Sequence, residues 1–268
     1  MKSLTKRQAI TYFILFILLI GRVWENTAFF VLRIVLPPGA TVIPAWFWNF
    51  TALATWIIGF NIIGEIPLIV IVLILNQDDL QSLNIDKFSI YLTVFAGLIY
   101  VKEAKYGLGI PSGIAVVLFS VYALWKKNLN FDKSNSEVWR LGLIGFTVFA
   151  LGLFVVSNHI DPLSTEQNIA SSLVAIFLPV TEEIMYRGML WMFLKNLKWN
   201  EVTIMFFTAF LFWMSHLNLF FSPFNFWFYI PLLSLILGYL VLRTKSITTS
   251  TVWHMLSNLF AALVFISH

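Results

Sequence analysis

Cysteine is absent from the 268 residues, which removes disulfides, zinc–thiolate sites and thiol nucleophiles from the chemistry open to this chain. Charge is scarce as well. Only 11% of residues are Asp, Glu, Lys or Arg, against 59% that are hydrophobic. A soluble domain of this length needs more polar residues to cover its surface, whereas here apolar runs of about 17–25 residues, long enough to cross a bilayer, recur along the sequence. No internal repeat, heptad run or low-complexity linker interrupts them. The expected fold is therefore all-α, a polytopic transmembrane helix bundle of about 8–9 spans set by hydrocarbon thickness.

The spans fall near 10–34, 44–75, 88–101, 109–126, 138–158, 168–194, 200–221, 226–242 and 247–267. The run at 44–75 contains Asn61, Glu65 and Pro67, and reads either as one kinked helix or as a surface segment followed by a short span. The beginning, "MKSLTKRQAITYFILFILLIG", has basic and apolar regions in signal-peptide order but no small-residue cleavage site, so it is expected to remain as the first helix. A net charge of +4 does not point to nucleic acid, because the basic residues sit in short loops where they orient helices. With nine spans, Lys2, Lys6 and Arg7, then Lys126 and Lys127, then Lys195 and Lys198, then Arg243 and Lys245 all share one side. That side, and the N-terminus with it, is expected to be cytoplasmic in the cell membrane. Lys102 and Lys105 do not fit this pattern.

Chemistry is concentrated in the second half. The polar stretch "KKNLNFDKSNSEVWR" separates an N-terminal region, 1–134, from a C-terminal region, 135–268. Within the latter, "LPVTEEIMYRGML" at 178–190 places three charges in a span. Each costs about 2.5–3.5 kcal/mol at a helix centre on insertion scales, so compensation or a function is required. Glu183 and Arg187 are four residues apart, about 40° around the helix, and can pair; Glu182 lies about 100° from Glu183 and is left without a partner on its own helix. By itself this pattern is equally a buried polar knot that fixes helix packing.

The histidines extend the pattern. Of four, His216 closes "FWMSH" and His254 opens "HMLSN" in two of the three helices after the glutamate helix. Phe212 shares a helix face with His216, and Asn258 shares one with His254. Counted at 1.5 Å per residue, Glu182, His254 and Asn258 reach the middle of the bilayer, while His216 comes out about 10 Å further across. A hydrogen-bonded packing histidine remains the alternative for each ring. Arg22 and Glu25 are spaced to pair in the first span, Arg33 to snorkel to an interface, and Glu65 either to face the cavity or to cap the kink before Pro67; a structural role is the favoured reading for all four. "GIPSG" at 109–113 fits a helix-packing pattern but lies at a span edge.

The ordered set "EEIMYR", "FWMSH" and "SITTSTVWHMLSN" resembles the CAAX-protease and bacteriocin-processing (CPBP, or Abi) intramembrane proteases, which include the type II CAAX prenyl endopeptidases. The resemblance covers roughly 138–267, and the N-terminal spans match nothing in it. It implies an intramembrane endopeptidase with its site between helices of the C-terminal half. Glu182 is expected to activate water, His216 to share that water or return the proton, and His254 and Asn258 to form the oxyanion hole. Glu183, Arg187 and Phe212 would support them. The resemblance implies no metal and no other cofactor. The competing zinc reading would take Glu182, His216 and His254 as ligands, although no HExxH motif is present.

The expected partners are membrane lipid and a membrane-associated peptide or protein substrate, with peptide processing or bacteriocin self-immunity as the context. Two other classes stay open: a non-enzymatic immunity or scaffold protein, and a transporter using the same polar cavity. Substrate identity and oligomeric state are not readable from the sequence.

Overall fold

The computed structural model describes residues 5–35, 62–86, 89–94, 118 and 178–265. Among the described residues the chain is helical and has no strand. Two helical stretches, Lys6–Trp24 and Asn225–Thr244, are long and apolar enough to cross a membrane, and Glu201–Met214 is a shorter apolar helix. Apart from Leu118, the expected span at 109–126 lies outside the described residues, as do the span at 138–158, the side chains of Glu25, Arg33 and Glu65, the "GIPSG" stretch, and Lys102 and Lys105.

Helix α1 is Lys6–Val35. Its inner face carries Thr11, Leu15 and Leu18, all fully buried, while Phe13, Phe16 and Ile20 are exposed. A chain with apolar residues on its outer face as well as its inner one suits a helix whose surroundings are lipid rather than water. Helix α2, Ile62–Leu75, packs along it. Their polar contact is internal: Asn76 donates through Nδ2 to Thr11 Oγ1 at 2.9 Å and to the Val72 carbonyl at 2.8 Å. A 3-10 turn at Leu80–Leu83 then leads into Asn84, whose positive φ of 54° ends it, in the left-handed region that asparagine tolerates.

Helix α3 runs over 178–196 and is not regular. Its middle, Ile184–Leu190, is π-helical and entirely buried, and Trp191–Asn196 completes it. A π segment leaves carbonyls without their usual partners and recurs at functional sites. Here Asn84 supplies a donor, its Nδ2 reaching the Arg187 carbonyl at 2.8 Å. The approach is close because residue 188 is glycine: a Cβ there would stand 3.1 Å from the Leu83 carbonyl oxygen.

Helix α4, Glu201–Met214, begins at an N-cap where Asn200 accepts from the Thr203 N–H at 2.8 Å. The sequence predicts one span over 200–221, but the α-helix stops at Met214 and a short 3-10 turn, Leu217–Leu219, follows. Helix α5 covers Asn225–Tyr229, π-helical, and Ile230–Thr244. It crosses α4 at Gly238, where a Cβ would meet Met205 Cγ at 2.9 Å; small residues permit such close helix contact in membranes. Lys245, at φ 58°, turns the chain into α6, Ile247–Phe265.

The start of α6 is tied to the N-terminal region. Asp86 accepts from Ser246 Oγ and Thr248 Oγ1, both at 2.6 Å, and the Ile247 N–H donates to the Asn84 carbonyl at 2.8 Å. Buried residues from α1, α2 and α3 to α6 form one apolar core. At one end of the bundle Glu201 pairs with both Lys195 and Lys245. Tyr12, just past Lys6 and Arg7, takes a hydrogen bond from Asn196 at the same end. Among the described residues, Lys195 and Lys245 thus lie at the end of the bundle toward which Lys6 and Arg7 lead; Lys2, Lys126 and Lys127 of the charge pattern lie outside them.

Candidate active site

Glu182 and Glu183 lie on the last regular turn of α3 before its π segment, and both are buried. The predicted pair within the helix forms: Arg187 Nη1 donates to Glu183 Oε1 at 3.1 Å, with neither side chain exposed. The second guanidinium nitrogen donates to the Ser234 carbonyl of α5 at 3.1 Å. The guanidinium carbon also stands 4.6 Å from the centre of the Phe212 ring, so charge, hydrogen bonding and a cation–π contact together offset its desolvation.

His254 reaches both glutamates from α6. Its Nδ1 is 3.0 Å from Glu183 Oε1, and its Nε2 is 3.5 Å from Glu182 Oε2. Burial of the ring and a carboxylate at each nitrogen fix its orientation. The hydroxyl-rich run preceding it, Thr248 to Thr251, is wholly buried, and Ser250 and Thr251 donate back to the Ile247 carbonyl. Such back-bonding satisfies hydroxyls that lipid cannot.

The expectation for His216 needs correction in its geometry. Because α4 ends at Met214, His216 lies in the turn beyond it and its ring folds back. Nδ1–H donates to the Phe212 carbonyl at 2.7 Å, and the two rings are 4.6 Å apart between centres. The distance across the bilayer inferred from a continuous helix therefore does not separate His216 from the glutamates. Phe212 has His254 at 5.5 Å on another side, so one buried ring spaces both histidines. Glu182, Arg22 and His254 all lie within electrostatic range of His216. With Nδ1 committed to a carbonyl acceptor, a neutral His216 ring presents Nε2 as a free acceptor.

Asn258 sits one turn beyond His254 and is half-buried, with no hydrogen-bond partner among the described residues. A buried or half-buried amide with unused donors can take up a ligand's oxygen. The glutamates, the two histidines and Phe212 thus converge, and Asn258 borders them on α6.

Glu182 is not left over, as helix spacing alone suggests. Arg22 of α1 places Nη1 3.4 Å from Glu182 Oε1. The i, i+3 spacing of Arg22 and Glu25 that the sequence offers is thus not the only pairing of this arginine. An arginine within an apolar helix was the signal available for it, since such residues seldom lack a functional partner. Asn84 and Asp86, which brace α3 and α6 from behind, carried no signal of comparable strength.

Among the described residues, no group of three or more His, Asp or Glu side chains is arranged to hold a metal ion. Both nitrogens of His254 face carboxylates, and Nδ1 of His216 faces a carbonyl. A tetrahedral ion on Glu182, His216 and His254 would have to displace the Glu182–His254 contact.

Residues 165–260 match the family model described as Type II CAAX prenyl endopeptidase Rce1-like. No curated protein and no solved structure matches the chain. The matched segment holds the whole constellation from Glu182 to Asn258 and excludes α1, α2 and the 80–86 segment.

Proposed function

We propose that this chain, whose 165–260 segment supports a CAAX/CPBP-type intramembrane protease, is an intramembrane endopeptidase that hydrolyses membrane-associated peptides or proteins with water activated by Glu182. The observation that carries this reading is the placement of the His254 ring between Glu182 and Glu183, at 3.5 and 3.0 Å, in a buried, helix-lined site.

Glu182 takes a proton from water as the water oxygen attacks the scissile carbonyl carbon. The carbonyl oxygen becomes an oxyanion, which the Asn258 amide stabilises by donating a hydrogen bond, joined by His254 Nε2–H once Glu182 has taken the water's proton and releases that nitrogen. Glu182 passes the water's proton to His216 Nε2 and is regenerated; collapse of the tetrahedral intermediate breaks the C–N bond as the protonated His216 gives that proton to the leaving amine. The free Nε2 of His216 suits that transfer, since its other nitrogen is held by the Phe212 carbonyl. Glu183 and Arg187 hold the geometry. Phe212 keeps the two imidazoles apart and shields the guanidinium. No step requires a metal or another cofactor.

The substrates on this reading are membrane-embedded or membrane-associated peptides, with peptide processing or bacteriocin self-immunity as the setting. On this reading the N-terminus is cytoplasmic, a side supported by the basic residues at that end of the bundle. The test compares the membrane peptidomes of cells carrying the wild-type chain and Glu182→Gln, followed by cleavage of the differing peptides by purified protein in a strong chelator. Fragments produced only by the wild-type chain, and still produced in chelator, support the reading. Identical peptidomes alongside a surviving immunity phenotype would favour a non-enzymatic immunity protein. Stoichiometric zinc lost together with activity would make Glu182, His216 and His254 ligands.

A further inference from the structure

Arg22 stands apart from the rest of the constellation because it comes from α1, outside the segment that matches the protease family. It nevertheless touches the group at the centre of the proposed chemistry. Its Nη1 lies 3.4 Å from Glu182 Oε1, while His254 Nε2 lies 3.5 Å from Oε2. One carboxylate is thus held at both oxygens, by side chains from two helices far apart in sequence.

The position of α1 is fixed at both ends of this contact. Toward its N-terminus the Tyr12 ring meets Phe193 edge-on at 4.8 Å, and its hydroxyl accepts from Asn196. Toward its C-terminus Phe30 packs on Phe220 at 5.1 Å and on Phe221 at 5.8 Å, in the segment that follows His216. Arg22 lies between these anchors, and its side chain is only 15% exposed. A cation so placed attracts and orients the neighbouring carboxylate. Its planar fork also restricts the carboxylate's rotation more than a lysine ammonium does.

We infer that Arg22 is a positioning residue of the catalytic centre, holding Glu182 aimed at the attacking water; this rests on the endopeptidase reading above. The charged groups around Glu182 are then assigned by element. Among the described residues, Glu183 and Arg187 of α3 form their own pair, His254 of α6 engages the second oxygen, His216 lies beyond α4, and Arg22 reaches in from α1. The matched segment alone is therefore incomplete as a catalytic unit.

The experiment uses the full-length protein in detergent and a quenched-fluorescent transmembrane peptide that the wild-type protein cleaves. Arg22→Ala, Arg22→Lys and Glu182→Gln are compared for kcat, KM and melting temperature, with and without millimolar guanidinium chloride. Arg22→Ala is expected to lose about 10²-fold in kcat, the scale on which a displaced reacting group loses rate, with KM little changed. Arg22→Lys should recover part of that loss, and guanidinium should raise the rate of Arg22→Ala but not of Glu182→Gln. Wild-type kcat in Arg22→Ala, or a loss that follows unfolding and is recovered by neither lysine nor guanidinium, overturns the inference while leaving the role of Glu182 intact. Normal cleavage by Glu182→Gln overturns both.

Discussion

Nδ1 of His254 stands 3.0 Å from Oε1 of Glu183, the same oxygen that receives the Arg187 guanidinium at 3.1 Å. A single carboxylate oxygen therefore joins α6 to α3 and, through the second nitrogen of Arg187 on the Ser234 carbonyl, to α5. Glu183 is placed as a structural hub and Glu182 as the group beside the reacting atoms.

Glu183→Gln removes the charge that compensates Arg187, and breaking a buried pair from one side costs about 3–5 kcal/mol when the site is dry. The variant should melt well below the wild-type protein in detergent and lose activity in parallel. An unchanged melting temperature would show that water or another anion compensates Arg187.

Asn258 offers its amide to the oxyanion from one turn beyond His254. Removal of one oxyanion donor typically lowers kcat by about 10²–10³-fold. Asn258→Ala should show that loss with KM nearly unchanged, in steady-state cleavage of a membrane peptide. A large rise in KM at normal kcat would assign Asn258 to ground-state binding.

Asp86 concerns the brace rather than the site. It accepts from Ser246, Thr248 and Ser89, at 2.6, 2.6 and 3.0 Å, and so fixes the start of the helix that carries His254. Asp86→Ala leaves those hydroxyls without their acceptor and should cost about 1–3 kcal/mol, read as a lower midpoint in thermal unfolding. A midpoint equal to wild type would show that α6 is held by packing alone.

The sequence made some of this legible and not the rest, for physical reasons. The Glu183–Arg187 pair was readable because spacing along one helix determines which side chains share a face. Helix α5 was readable from its apolar run, and α6 from its length between Lys245 and the end of the apolar stretch despite the hydroxyl-rich start. The position of His216 was not, because hydropathy continues past Met214 while the backbone stops being α-helical there. The π register of Ile184–Leu190 leaves no periodic trace in a span that is buried all round. Arg22 with Glu182, Asn84 with the Arg187 carbonyl and Asp86 with Ser246 join residues far apart in sequence. Neighbour spacing is silent about such contacts, and only the packing of α1 and the 80–86 segment reveals them. The partner that spacing denied to Glu182 also changes what its substitution should do.

Glu182→Gln is the most direct test of the account, measured as cleavage rate and melting temperature on protein prepared identically to wild type. Its loss leaves Arg22 and His254 short of a carboxylate, but Arg22 keeps some access to solvent. The stability cost should therefore be smaller than that of Glu183→Gln. The account predicts a folded protein, less destabilised than Glu183→Gln, with essentially no cleavage. A folded Glu182→Gln that cleaves at the wild-type rate would contradict it, and the buried charges would then be packing features.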